Sequence, residues 1–231
     1  MVQFKGTIKA RKAKAKMIKG YIFDMDGTLI DSMEMICRMD REIFRRLGLV
    51  PTEEALEDMR YIPLGESSGY IKSHFDIPQT EDEVMRILMD TMIEGYRTVE
   101  MKAGAIDYLE FCKSRGIRMC IATATEPEIA TDVARDKGFL SYMENVTACS
   151  EVGSGKTKPD VFIEAARRMG LEPCECVVFE DGIPGATSAG EAGFKVVGVF
   201  DPTAGDADTE KMKSITDRYI VSFEDVKDQL I

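Results

Sequence analysis

Histidine is almost missing from this chain: His74 is the only one. A metal centre or catalytic triad built on imidazole is thereby close to excluded. Long apolar runs are missing too. No stretch reaches the roughly 18 consecutive apolar residues that mark a membrane-crossing helix, so no membrane partner is expected. Positive charge is in short supply, and the formal net charge of −11 argues against a nucleic-acid or anionic-membrane surface. The six cysteines are Cys37, Cys112, Cys120, Cys149, Cys174 and Cys176. Cys174 and Cys176 stand two apart with no second pair or histidine nearby, which is a weak metal signal. Cys112, Cys120 and Cys149 fall in apolar segments, where a thiol is a small core residue. Reduced thiols and a cytoplasmic setting are the default expectation. Internal repeats and low-complexity tracts are absent.

What is present suits one sizeable core, or a core plus a smaller insert: 231 residues, 44% of them apolar and 31% charged. Charge is unevenly placed. Residues 1–19 hold seven basic residues and no acid, leaving 23 basic against 41 acidic residues elsewhere. No apolar segment follows this start, so it is not a secretory signal. A nucleic-acid arm and an organelle-targeting peptide are alternatives to the expected reading, a disordered basic extension over 1–16 with the folded unit beginning near Met17.

Short β-rich apolar runs recur at Gly20–Phe23, Ile117–Ala122, Val146–Cys149, Cys176–Phe179 and Lys195–Val199, with a weaker one at Arg218–Val221. Helical patterns lie between them at 103–115, 126–137, 159–169 and 183–192, followed by Gly116, Gly138, Gly170 and Gly193 as C-terminal stops. This alternation predicts an α/β fold, a parallel-sheet, Rossmann-like core with helices on both faces. Residues 33–100 break the alternation. They show no convincing strand, and Thr80 with Glu83 makes a capping box. Val84, Ile87, Leu88, Met92, Tyr96 and Val99 fall on one helical face, as do Met33, Ile36, Ile43, Phe44 and Leu47. The core is therefore expected over 17–32 and 101–231, with 33–100 an inserted all-helical cap over the sheet edge.

Polar groups gather where the apolar strands stop. Asp24 and Asp26 end the first, Thr123 the second, and Glu180 with Asp181 the fourth, while Lys156 lies in the loop GSGKTKPD before a helix. In a parallel sheet the ligand site lies outside the carboxyl ends of the strands, so these groups are expected to converge. Carboxylates without histidine or clustered cysteine suit a hard cation, Mg²⁺ first. Thr125 with Glu128 reads as a capping box, which leaves Thr123 free for another task. Val152–Thr157, VGSGKT, imitates the tail of a P-loop, but the first glycine that motif needs falls at position 150, where Ser150 stands.

DMDGTLIDS, IATAT, GKTKPDVF and VVFEDGIPGATSAGEAGF together resemble the four motifs of haloacid dehalogenase-like hydrolases, within the helical-cap phosphatase and β-phosphoglucomutase branch. The similarity covers about residues 17–200. The resemblance implies that Asp24 is the nucleophile and Asp26 the general acid/base. It likewise implies that Thr123 and Lys156 bind the substrate phosphate. Asp181, with Glu180 beside it, matches the acidic metal ligand, alongside Asp24 and the backbone carbonyl of Asp26. The third motif departs from the family pattern, since Thr157 replaces its first proline, and Lys158 competes with Lys156 for the lysine role. The implied function is a Mg²⁺-dependent, monomeric phosphohydrolase acting on a small phosphorylated metabolite through an aspartyl-phosphate.

A β-phosphoglucomutase-type mutase is the alternative, and a non-catalytic phosphate-binding or regulatory protein a further one. Against the second, Asp24, Asp26, Lys156 and Asp181 are all present. Against the first, the position of the histidine that such mutases carry on the first cap helix is Ile36. Substrate choice is expected from cap residues, with Arg60, Tyr61, Glu66, Ser67, Ser68, Lys72, His74 and Arg97 as polar or aromatic candidates.

Overall fold

The computed structural model describes residues 17–59 and 64–231. The basic extension expected over 1–16 lies outside the described residues, as do Arg60 and Tyr61. The chain begins with β1 (Gly20–Phe23), followed by helices α1 (Met33–Arg46), α2 (Glu53–Met59), α3 (Leu64–His74), α4 (Glu81–Thr98) and α5 (Ala105–Ser114). Then come β2 (Arg118–Thr123), α6 (Pro127–Asp136), β3 (Val146–Ala148), α7 (Cys149–Val152) and α8 (Asp160–Arg168). Last are β4 (Cys176–Glu180), α9 (Ile183–Glu191), β5 (Lys195–Val199), α10 (Asp206–Ile215) and β6 (Arg218–Ile220).

The six strands form one parallel sheet in the order β3-β2-β1-β4-β5-β6. The central strand β1 is buried at all four positions, which is why its sequence is a continuous apolar run and not an alternation. Its residues still divide by face. Tyr21 and Phe23 pack with Tyr108 and Leu109 of α5 and Ile129 and Val133 of α6. Ile22 packs on the other side with Val161 and Phe162 of α8 and Ala186 and Ala189 of α9. Burying each such large side chain stabilises the sheet by about 1.5–3 kcal/mol; the stacked Phe23 and Phe179 rings, 4.6 Å apart, lock β1 to β4.

Between Met33 and Thr98 the described elements are all helices, and they own a separate apolar cluster that includes Ile43, Phe44, Leu56, Ile71, Val84 and Leu88. The Thr80–Glu83 capping box forms at the start of α4. The last turns of α4 depart from this cluster: Met92, Tyr96 and Val99 pack with the sheet core instead. The two linkers to the helical segment run side by side, with Asp31 N–H donating to Glu100 O at 2.9 Å and Lys102 N–H to Leu29 O at 2.9 Å. Lys102 Nζ then ties the linkers to the end of β5, reaching Asp31 at 3.2 Å and the buried Asp201 at 2.8 Å.

Three local expectations need correction. Cys149 starts α7 and does not end β3. α10 was not foreseen, because Met212 alone of its residues is buried and the apolar period is too thin. The Thr125–Glu128 capping box does not form: the residue before α6 is Glu126, with no side-chain cap, and Thr125 is engaged elsewhere. No helix among the described residues is long and apolar enough to cross a membrane.

Candidate active site

Sheet order reverses at β1, whose neighbours β2 and β4 lead to opposite edges, and a crevice opens beyond the strand ends at such a point. Asp24 follows β1 and its N–H donates to Phe179 O at 2.9 Å, which fixes it beside the end of β4. Glu180 ends β4 and Asp181 follows it. Carboxylate oxygens of Asp24, Glu180 and Asp181 lie within 4.8 Å of one another. Lys156, from the loop before α8, forms ion pairs with Asp24 Oδ1 and, at 2.7 Å, with Glu180 Oε1. Ser188 of α9 anchors that loop by donating to Lys156 O at 2.7 Å. Lys158 is exposed, so the lysine in the cluster is Lys156.

Two glycines make this crowding feasible. Gly27 has φ +75°, and a Cβ there would lie 2.1 Å from Asp181 Oδ2. At Gly185 a Cβ would lie 2.2 Å from Glu180 Oε1. Glu180 can thus sink beneath the first turn of α9, where its Oε2 accepts the Gly182 N–H at 2.7 Å. Both Glu180 oxygens are therefore committed. Among the described residues Asp181 accepts one hydroxyl, from Thr28 Oγ1 at 3.2 Å.

Among the described residues the charges are unbalanced: three buried or half-buried carboxylates face one ammonium. Burial pushes the Asp24 carboxyl well above the usual range; Lys156 pulls it back, and Glu180 and Asp181 push it further. Asp181 is pushed up to about 7, first by burial and then by Glu180. For Lys156, burial disfavours the charged amine, but the adjacent Asp24 and Glu180 outweigh it and hold the ammonium protonated. An all-oxygen donor set with excess negative charge fits a divalent hard cation. The donors present thus suit Mg²⁺.

Asp26 faces the same opening, half-buried. Ser32 Oγ donates to its Oδ1 at 2.7 Å, and Thr125 Oγ1 to its Oδ2 at 2.7 Å. Thr123 is wholly buried, and its Oγ1 accepts the Thr125 N–H at 3.0 Å. Ala124 and Thr125, not Thr123, line the cavity. That cavity, about 860 Å³, is floored by Asp24, Asp26, Lys156, Glu180 and Asp181 and walled by Met33, Ile36, Met39, Leu64, Met92 and Tyr96 from the helical segment. A second hollow of about 660 Å³ lies outside, between α1 and α4, and includes none of the acid cluster.

A sequence model of the haloacid dehalogenase-like hydrolase family matches residues 18–193. The chain belongs to the haloacid dehalogenase-like hydrolases. It is 32% identical over 209 residues to hexitol phosphatase A of Escherichia coli strain K12, with 85% of this chain and 88% of that one covered. A probable pseudouridine-5'-phosphatase of Drosophila melanogaster is 28% identical over 187 residues, covering 78% and 81%. Among solved structures, a putative beta-phosphoglucomutase from Thermotoga maritima shares the fold with a TM-score of 0.70 at 22% identity, covering 88% of this chain and 94% of that one.

In this haloacid dehalogenase-like hydrolase, five of the six residues singled out from the motifs meet at the cavity floor: Asp24, Asp26, Lys156, Glu180 and Asp181. Thr123 stands behind it. Of the polar cap candidates, Glu66, Ser67, Ser68, Lys72, His74 and Arg97 do not line the cavity. Lys72 Nζ donates to Ile77 O at 2.9 Å, and His74 stacks on Tyr70. Sequence reasoning missed Ser32, Tyr96 and Thr125. Thr125 reads as a helix cap, Tyr96 as one residue of an apolar helical face, and Ser32 carries no role of its own within DMDGTLIDS. Nothing local signals that the hydroxyls turn toward Asp26.

Proposed function

We propose that this chain is a Mg²⁺-dependent phosphatase that hydrolyses small phosphomonoesters through an aspartyl-phosphate on Asp24. One observation carries the reading: Asp24 lies at the cavity floor, paired with Lys156 and clustered with Glu180 and Asp181, with Asp26 at the same opening. The names of the two phosphatase relatives support a small phosphomonoester. The cavity volume falls within the roughly 300–1,000 Å³ of small-molecule sites.

A phosphomonoester dianion approaches carboxylates only where cations and N–H donors offset the repulsion. Asp24, Asp181 and the backbone carbonyl of Asp26 would hold the Mg²⁺. When bound, it neutralises phosphoryl oxygens and draws electron density from phosphorus. Glu180 takes a separate part, since Lys156 and Gly182 occupy its oxygens: it keeps the lysine ammonium charged and aimed at Asp24 and the phosphoryl group. A carboxylate oxygen of Asp24 attacks phosphorus as the ester P–O bond breaks, and the bonding pair leaves with the alcohol oxygen. The proton of Asp26 passes to that oxygen, so a neutral alcohol departs. Water then attacks the phosphorus of the aspartyl-phosphate and gives its proton to Asp26. The Asp24–phosphorus bond breaks with its electron pair on Asp24, and inorganic phosphate leaves.

The test is Asp24→Asn, assayed with glucitol 6-phosphate and p-nitrophenyl phosphate. Turnover is expected to fall about 10³-fold or more, with the circular dichroism spectrum unchanged. Wild-type activity should vanish in EDTA and return with Mg²⁺. Near wild-type hydrolysis by Asp24→Asn would remove the reading.

A further inference from the structure

Asp26 is gripped at both carboxylate oxygens, by Ser32 at the entry to the helical segment and by Thr125 in the loop after β2. Ser32, which donates to Oδ1 at 2.7 Å, immediately precedes α1, the helix that enters the segment. Thr125 donates to Oδ2 at 2.7 Å, and its Oγ1 lies 3.0 Å from the hydroxyl of Tyr96 in the last turn of α4, the helix that leaves the segment. A threonine hydroxyl has one proton, and here that proton is on the Asp26 bond. While Asp26 is ionised, the Tyr96 hydroxyl therefore donates to Thr125, and when Asp26 carries the proton for the leaving alcohol the contacts at both its oxygens still fix the carboxyl plane. The relay runs Tyr96 to Thr125 to Asp26.

A buried tyrosine needs a hydrogen-bond partner, and a bland partner would be a backbone carbonyl. Tyr96 instead ends, through one hydroxyl, on the group that serves the leaving alcohol. The geometry matters because the Cβ–Cγ torsion of an aspartate is broad and has no sharp staggered wells. One donor per oxygen pins the carboxyl plane where no donor would leave it to turn. Chained hydroxyls also polarise one another, which strengthens the last link. Tyr96 is itself firmly placed, 3% exposed and packed with the sheet core.

We propose that Tyr96 is a positioning residue: through Thr125 it holds the Asp26 carboxyl aligned on the leaving-group oxygen, so that the packing of α4 on the core sets acid catalysis. This rests on the phosphatase reading. Tyr96 does not touch the reacting atoms in this scheme; its hydroxyl bonds Thr125 and also lies close enough to Asp26 to interact with that carboxylate.

The test uses leaving groups of different need. An alkoxide must be protonated as it leaves, whereas nitrophenolate departs without help, and kcat/KM reports the step in which the leaving group departs. Tyr96→Phe keeps the ring and removes the hydroxyl. The ratio of kcat/KM for alkyl monoesters (glucitol 6-phosphate, glycerol 3-phosphate) to kcat/KM for p-nitrophenyl phosphate is expected to fall about tenfold, part of the 10²–10⁴-fold that general acids typically supply. Thr125→Val should lower the ratio at least as far, Tyr96→Phe should add less on top of it than it costs alone, and Thr125→Ser should restore it. Equal losses on both kinds of ester, or no loss on either, would overturn the relay and leave Tyr96 a packing residue. Wild-type protein that hydrolyses the nitrophenyl ester and no alkyl ester would also overturn the relay alone. Wild-type protein that hydrolyses neither with Mg²⁺ would overturn the phosphatase reading beneath it.

Discussion

Replacing Lys156 by methionine keeps most of the side-chain volume and removes the ammonium paired with the acid cluster. Asp24, Glu180 and Asp181 then share a pocket within 4.8 Å of one another, with no cation from the described residues among them. Breaking a buried pair by deleting one partner costs about 3–5 kcal/mol, because an uncompensated charge remains. Here the cost should depend on pH. Burial and Glu180 push the Asp181 carboxyl up to about 7 from an ordinary 3.8, and Asp24 is also raised. A raised carboxyl binds its proton more tightly in the folded state, so its contribution to stability is full below the unfolded pKa and is lost as pH rises through the folded one.

Without Lys156 both shifts grow. Lys156→Met should therefore be less stable than wild type by about 3–5 kcal/mol at pH 8 in EDTA, and the deficit should shrink by more than half at pH 5.5, below the raised value of Asp181. Mg²⁺ should recover part of the loss at pH 8 and little at pH 5.5, since protons and metal compete for the same oxygens. Urea unfolding of both proteins at the two pH values, with EDTA or Mg²⁺, measures all four differences. Equal destabilisation at pH 5.5 and 8, or a loss below about 1 kcal/mol at pH 8, would refute the charge-imbalance argument.

Two further outcomes are expected. Gly27→Ala places a methyl group where Asp181 Oδ2 stands, at φ +75°; it should cost more than about 1 kcal/mol and raise the Mg²⁺ concentration needed for half-maximal activity, and an unchanged Mg²⁺ requirement would sever Asp181 from the metal. Supplied with β-glucose 1-phosphate and β-glucose 1,6-bisphosphate as primer, the protein should release inorganic phosphate and make little glucose 6-phosphate, because Ile36 and Met33 on the helical wall offer no acid, base or cation; efficient isomer formation would promote the mutase alternative.

Much of the fold was legible along the chain because parallel strands buried on both faces must be short and apolar. Gly20–Phe23 and Lys195–Val199 were read to the residue. The stops after α5, α6, α8 and α9 were marked by glycines that take positive φ. The acids were legible for a related reason: a charge directly after a buried strand must face the open end of the sheet, and topology brings those ends together. Strand position thus determined that Asp24, Asp26, Glu180 and Asp181 share one crevice.

Tertiary structure alone decided how they divide the work. Glu180 and Asp181 are adjacent in sequence, yet the turn into α9 sends the first to Lys156 and Gly182 and leaves the second nearest Gly27. Thr125, expected as a helix cap, instead sends its hydroxyl to Asp26 across 99 positions of sequence, while the buried Thr123 hydroxyl accepts the Thr125 N–H. Tyr96 looked like one more apolar-face residue of α4, and its ring is that. Only the end of that ring, delivered by the packing of α4 on the sheet core, meets Thr125. Periodicity reports which face of an element is buried; which atom a buried hydroxyl meets is set by side-chain torsions and by distant elements, and neither is written into local sequence.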